Sequence, residues 1–102
     1  MNEQIYIGTD IKVQVSIEAS GFSMEDDDWD VSLKSGGKVL KTYSKADCMM
    51  DSDGQFYALV RAEDLKSGDI DILFHALVPD EDWDDGLRNE TDKQHLLKVL
   101  KI

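Results

Sequence analysis

The feature that most constrains this chain is a run of eight residues in which apolar and polar side chains alternate strictly. Four aliphatic residues occupy every second position and polar residues separate them (Ile11, Val13, Val15, Ile17; Lys12, Gln14, Ser16, Glu18). Successive side chains of a strand point to opposite faces, so this pattern predicts a strand with one buried face and one solvated face. The pattern returns at Trp29, Val31 and Leu33, and it predicts a second strand of the same kind.

Turn signals divide the rest of the chain into short strands. Glycine pairs or Asp-Gly combinations occur at residues 35–38 and 51–54, and Pro79 ends an apolar stretch that begins at Ile70. We expect residues 80–92 to be irregular and Gln94–Ile102 to form the last strand. About seven strands joined by tight turns favour antiparallel pairing. The sequence therefore predicts an all-β fold, an immunoglobulin-like antiparallel β-sandwich of about seven strands, as a single domain over residues 1–102. A small barrel is the alternative.

Charge excludes several classes of partner. The 102 residues include 22 Asp and Glu against 11 Lys and Arg, which gives a net charge of -11. A direct nucleic-acid or anionic-membrane binder needs clustered basic residues, so we expect no nucleic acid and no membrane as partners. The start of the chain has no basic region followed by an apolar run, and Cys48 has no partner for a disulfide. We therefore expect synthesis in the cytoplasm without a signal peptide.

Acidic residues concentrate at residues 25–30 and 80–85, which raises the question of calcium. If Asp80 were the first ligand of a twelve-residue calcium loop, a glycine would be needed at residue 85 and a glutamate at residue 91. The chain has Asp85 and Thr91 at those positions. The sequence predicts no metal site and no cofactor, although a calcium-dependent binding or adhesion module stays an alternative.

Nothing in the sequence has the pattern of a catalytic site. Neither His75 nor His95 lies in a recognisable nucleophile motif, and Met49 and Met50 after Cys48 indicate an apolar, unreactive thiol. We therefore expect no enzymatic activity and name no catalytic residue.

One strand is apolar on both of its faces, which points to an interface. Leu73, His75 and Leu77 lie opposite the face formed by Ile70, Ile72, Phe74, Ala76 and Val78, and the last strand also has two apolar faces. A sandwich buries only one face of each sheet, so the second apolar face needs a cover. The candidate interface residues are Leu73, His75, Leu77, Trp83, Leu97 and Val99.

The order of these features resembles a group of known proteins. The starting Ile-Tyr-Ile-Gly-Thr-Asp, the Ser-Gly-Gly-Lys hairpin, the Asp51–Tyr57 turn and strand, the corner at residues 62–68 and the closing Asp85–Glu90 segment carry the resemblance. The chain is similar to small proteins of prophages and mobile elements in gut Bacteroidales. These in turn resemble the amino-terminal immunoglobulin-like domain of phage baseplate upper proteins. The resemblance implies a virion-associated role in a tail, baseplate or head fibre.

Two hypotheses of function follow. The leading one is a non-enzymatic structural or assembly module of phage or prophage origin, whose partners are itself, another virion protein, or both. The alternative is an acidic mimic of DNA that inhibits a host nucleic-acid-binding protein, a role that the charge of -11 favours.

Overall fold

The computed structural model describes residues 3–102 of the chain. It contains eight strands, which are β1 (Gln4–Tyr6), β2 (Ile11–Val15), β3 (Trp29–Ser35), β4 (Lys38–Ser44), β5 (Met49–Met50), β6 (Phe56–Val60), β7 (Gly68–Pro79) and β8 (Leu87–Leu100). Helical structure in this part of the chain consists of two three-residue 3₁₀ turns, at Lys45–Asp47 and Ala62–Asp64.

The strands form two sheets that pack into a sandwich. The larger sheet has the order β1-β8-β7-β3-β4, and the smaller sheet has the order β2-β6-β5. The predicted all-β, immunoglobulin-like sandwich is confirmed, with eight strands rather than seven. One pairing departs from the antiparallel prediction, because β1 runs parallel to the end of β8 and makes the larger sheet mixed.

The core lies between the two sheets and is built from the alternating residues. Val13 and Val15 of β2 face Trp29, Val31 and Leu33 of β3 across it, and all five are buried. The polar residues between them point outward, which is what period-two alternation predicts. The β3–β4 hairpin turns through Gly36 and Gly37, and both have positive φ, as a two-residue turn between paired strands requires.

A long hairpin of β7 and β8 dominates the shape of the molecule. Its strands have 12 and 14 residues, and the molecule measures 51 × 33 × 24 Å. The prediction that residues 80–92 are irregular is wrong for its second half, because β8 begins at Leu87. Pairing with β7 continues without interruption from Pro79 and Leu87 back to Asp71 and His95, so backbone hydrogen bonding holds this polar segment as a strand.

Candidate assembly surface

The candidate interface lies on the side of the larger sheet that points away from the smaller sheet. The strand register fixes which residues share this side, because side chains of directly paired residues point to the same face. On β7 these are Leu73, His75 and Leu77, each partly buried, while the alternate residues of the strand fill the core. Pro79 and its partner Leu87 extend the same side toward the tip of the hairpin. We call Leu73, His75, Leu77 and Leu87 the outer face.

His75 is the most highly connected side chain of the outer face. Its Nδ1 lies 3.0 Å from Oδ2 of Asp30 on β3, and its Nε2 lies 2.7 Å from Oδ1 of Asn89 on β8. The hydrogen bond to Asp30, followed by that to Asn89, raises the pKa of His75 above its usual value. The imidazole of β7 is therefore hydrogen-bonded to both neighbouring strands of the larger sheet, β3 and β8.

Polar neighbours interrupt the apolar character of the outer face. Ser32 and Thr42 share a hydrogen bond of 2.8 Å beside Leu73, and Lys93 pairs with Leu73 on the other side. His75 separates Leu73 from Leu77 along the strand. The outer face therefore combines spaced, partly buried leucines with hydrogen-bonded polar side chains.

Two of the predicted interface residues belong elsewhere. Leu97 and Val99 are only 3% and 2% exposed and lie in the hydrophobic core. Their positions opposite Ile70 and Gly68 turn them toward the smaller sheet, so including them in the interface was wrong. Both faces of this strand are apolar in sequence, and that is why the pattern did not indicate which face is buried.

Trp83 lies in the loop at the tip of the β7–β8 hairpin and is 50% exposed. The loop is held by its own hydrogen bonds: the Asp80 amide donates to the Gly86 carbonyl, and the Gly86 amide donates to the Trp83 carbonyl. Arg88 lies below it, 3.7 Å from a carboxylate oxygen of Asp80. The tryptophan is thus presented on an ordered turn.

Aspartate side chains within and between the two acidic segments help to form turns. Asp51 accepts hydrogen bonds from the amides of Asp53 and Gln55, and these bonds lower its pKa. The carboxylate of Asp80 accepts a bond from the Asp82 amide in the same way. Among residues 3–102, no group of three or more His, Cys, Asp or Glu side chains is arranged to hold a metal ion.

The remaining acidic segment, residues 25–30, is pinned to the sandwich by backbone and side-chain contacts. The Lys45 ammonium donates to the carbonyl oxygens of Glu25 and Asp27, and the Trp29 indole N–H donates to the Met24 carbonyl at 3.0 Å. Residues 25–28 therefore follow the protein surface as a loop, and residues 29 and 30 begin β3.

Sequence reasoning missed three residues of the outer face and its network. Leu87 and Asn89 fall in the segment expected to be irregular, and Asp30 was placed on the polar face of its strand but not among the interface residues. The alternation of Trp29, Val31 and Leu33 does place Asp30 on the solvated side of β3, and that was the available signal. The register that brings His75 beside it has no local sequence signature.

Two further observations concern the chemistry of the chain. Burial raises the pKa of the Cys48 thiol, so little of it is thiolate at neutral pH. Within the part of the chain that the structure describes, no helix has the length and apolar character needed to cross a membrane.

Comparison with known proteins returns no family. Protein-family models, curated proteins and solved structures give no match to this chain. The resemblance to phage baseplate proteins therefore stays a prediction from the sequence.

Proposed function

We propose that this protein is a non-enzymatic structural module, of phage or prophage origin, that assembles through the outer face of its long hairpin. The β7–β8 hairpin is the observation that carries the proposal. It extends beyond the last β3 pair, at Trp29 and Ala76, and it carries the partly exposed Leu77, Leu87 and Trp83. An elongated hairpin with spaced apolar residues is suited to docking against another protein surface.

The chemistry of the outer face supports recognition rather than catalysis. His75 has both ring nitrogens hydrogen-bonded to neighbouring strands, so neither is directed at a substrate. A general acid or base must lie within hydrogen-bond distance of the group that reacts. The leucines around His75 have no reactive group. The same hydrogen bonds tie β3, β7 and β8 together where a partner would dock, which would lower the entropic cost of association.

The hydrophobic contribution from this face is moderate. Complete burial of an exposed leucine side chain stabilises a complex by about 1.5–3 kcal/mol. Leu73 and Leu77 are already partly buried in the monomer. When a partner covers them, each therefore contributes only part of this free energy to association. Repulsion between acidic copies is screened beyond about 8 Å at physiological ionic strength. Self-association through this face is therefore expected to be concentration-dependent.

The test replaces Leu73 and Leu77 together by Lys. A matched control replaces Met49 and Leu59 by Lys, because both are exposed on the outer side of the smaller sheet and the change adds the same two charges. Light scattering over a range of protein concentrations measures the mass of each variant and of the wild type. Circular dichroism reports whether each variant is folded.

We expect the wild type and the control to associate, and the Leu73/Leu77 variant to be a folded monomer. Unfolding of that variant would mean that the two leucines serve the monomer, and it would contradict an interface. A wild type that is monomeric at every concentration would remove the homo-oligomer from the proposal. The proposal would then depend on docking of the same face onto a different virion protein.

A further inference from the structure

A second surface lies at one edge of the sandwich, along the terminal strand of the smaller sheet. In the order β2-β6-β5, strand β2 is terminal, so within residues 3–102 it has a paired neighbour on one side only. Its other side presents backbone N–H and C=O groups that are available to an added strand.

A groove of about 540 Å³ runs along this free edge. Ile11, Lys12, Val13 and Gln14 all line it, although alternate residues of a strand point to opposite faces. Four consecutive residues can contact one groove only if it follows the strand edge. Its far wall is formed by β1 and β8, which contribute Ile5, Leu96 and Leu97 among others.

The apolar lining of the groove argues against a second copy that pairs through its own β2. In such a pairing the apolar side chains of the second β2 would stay in their own core, where Val13 and Val15 are 7% and 1% exposed. They would leave the groove empty. An extended segment with no core of its own would instead place every second side chain against Ile5, Ile11 and Leu96.

The net charge of this chain indicates which kind of protein would supply the extended segment. Two copies of this chain, each with a charge of -11, repel one another, whereas a basic protein is attracted. Within the groove, the Asp10 carboxylate already accepts a hydrogen bond from the Ala62 amide and lies 3.3 Å from Arg61. Glu3 and Lys12 also line the groove, so its own charges are mixed, and the attraction of a basic partner would come mainly from the long-range field of the whole chain.

We propose that the free edge of β2 binds an extended segment of a basic partner protein, which adds as a further strand and inserts alternate apolar side chains into the groove. Main-chain hydrogen bonds to β2 would supply affinity, and the groove would supply selection for the apolar positions. This surface is separate from the outer face, so either proposal can fail without the other.

The experiment uses a seven-residue peptide in which Val and Thr alternate between two terminal lysines. A control peptide replaces the lysines by glutamates. Hydrogen exchange followed by NMR measures protection of the β2 amides, and titration measures affinity for the wild type and for two variants. Leu96→Lys places a charge in the groove, whereas Val39→Lys places one on exposed β4 at the far edge of the larger sheet.

We expect the lysine peptide to protect β2 amides that exchange freely without it, and to bind at least about tenfold more tightly than the glutamate peptide at low salt. Leu96→Lys should weaken binding by about tenfold or more, and Val39→Lys should not. Because Leu96 and Ile5 both pack partly on the core, Ile5→Lys is made as a second groove variant with the same expected loss, and circular dichroism checks that both variants are folded. Absence of protection at millimolar peptide would overturn the proposal. If the same amides became protected without peptide as the protein concentration rises, a second copy would occupy the edge, and the proposal of a basic partner would be overturned.

Discussion

The buried Trp29 provides a direct test of the sandwich core. Its side chain is 2% exposed, its ring meets Phe56 edge-on with 5.2 Å between ring centroids, and its indole N–H donates to the Met24 carbonyl. Replacement by Phe removes that hydrogen bond, which contributes about 0.5–1.5 kcal/mol. It also removes two buried ring carbons, each worth about 0.8 kcal/mol. We expect Trp29→Phe to lower the free energy of unfolding by about 2–3 kcal/mol.

The matched control is Trp83→Phe, because Trp83 is half exposed on the hairpin loop. A surface substitution of this kind is expected to change stability by no more than about 0.5 kcal/mol. Urea denaturation followed by far-ultraviolet circular dichroism measures both variants without depending on tryptophan fluorescence. Equal losses for the two variants, or a loss below about 0.5 kcal/mol for Trp29→Phe, would refute the packing described for the core.

Two further predictions concern titration and calcium. Because the pKa of His75 is raised in the folded protein, the stabilisation from its hydrogen bonds is complete below the usual histidine pKa, about 6.5, and is lost as pH rises through the folded value. NMR titration should therefore give His75 a pKa above 6.5 in the wild type and a lower one in Asp30→Asn; an unchanged value in the variant would contradict the network. Millimolar calcium should leave the melting temperature almost unchanged, since Asp80, Asp82 and Asp84 are not accompanied by the closing ligands of a calcium loop. A rise of many degrees on adding calcium would show that this reasoning is wrong.

The sequence predicted those strands in which one face is buried and the other is solvated. Alternation at Ile11–Val15 and Trp29–Leu33 located β2 and β3, and the Gly36–Gly37 pair located the hairpin that follows. In these strands local chemistry and tertiary packing require the same pattern, so period two is sufficient to identify them.

The first half of β8 could not be predicted in this way. Arg88, Glu90 and Asp92 pair with Val78, Ala76 and Phe74, but they lie at a part of the hairpin where they remain partly or largely exposed. With both faces of the strand solvated, no hydrophobic period arises, and cross-strand hydrogen bonding to β7 alone defines the element. Residues 87–92 were therefore expected to be irregular.

Only part of the candidate surface could be predicted, and the reason is again a strand without a clear hydrophobic period. The alternation along β7 correctly separated Leu73, His75 and Leu77 from the core residues of the same strand. On the last strand both faces are apolar, and a register shift beside Ile70 and Asp71 decides which face is buried. That shift depends on pairing between distant segments, and local sequence does not specify it.

The central proposal is that the protein serves as a structural component of a virion, and particle composition tests it most directly. Particles induced from a host that carries the gene would be purified by density gradient, and the protein would be quantified in them by mass spectrometry against a major capsid protein. The account predicts a fixed copy number per particle for the wild type, with loss from the particles when Leu73 and Leu77 are replaced by Lys. Intact particles that lack the wild-type protein, while it stays in the soluble fraction, would contradict the account.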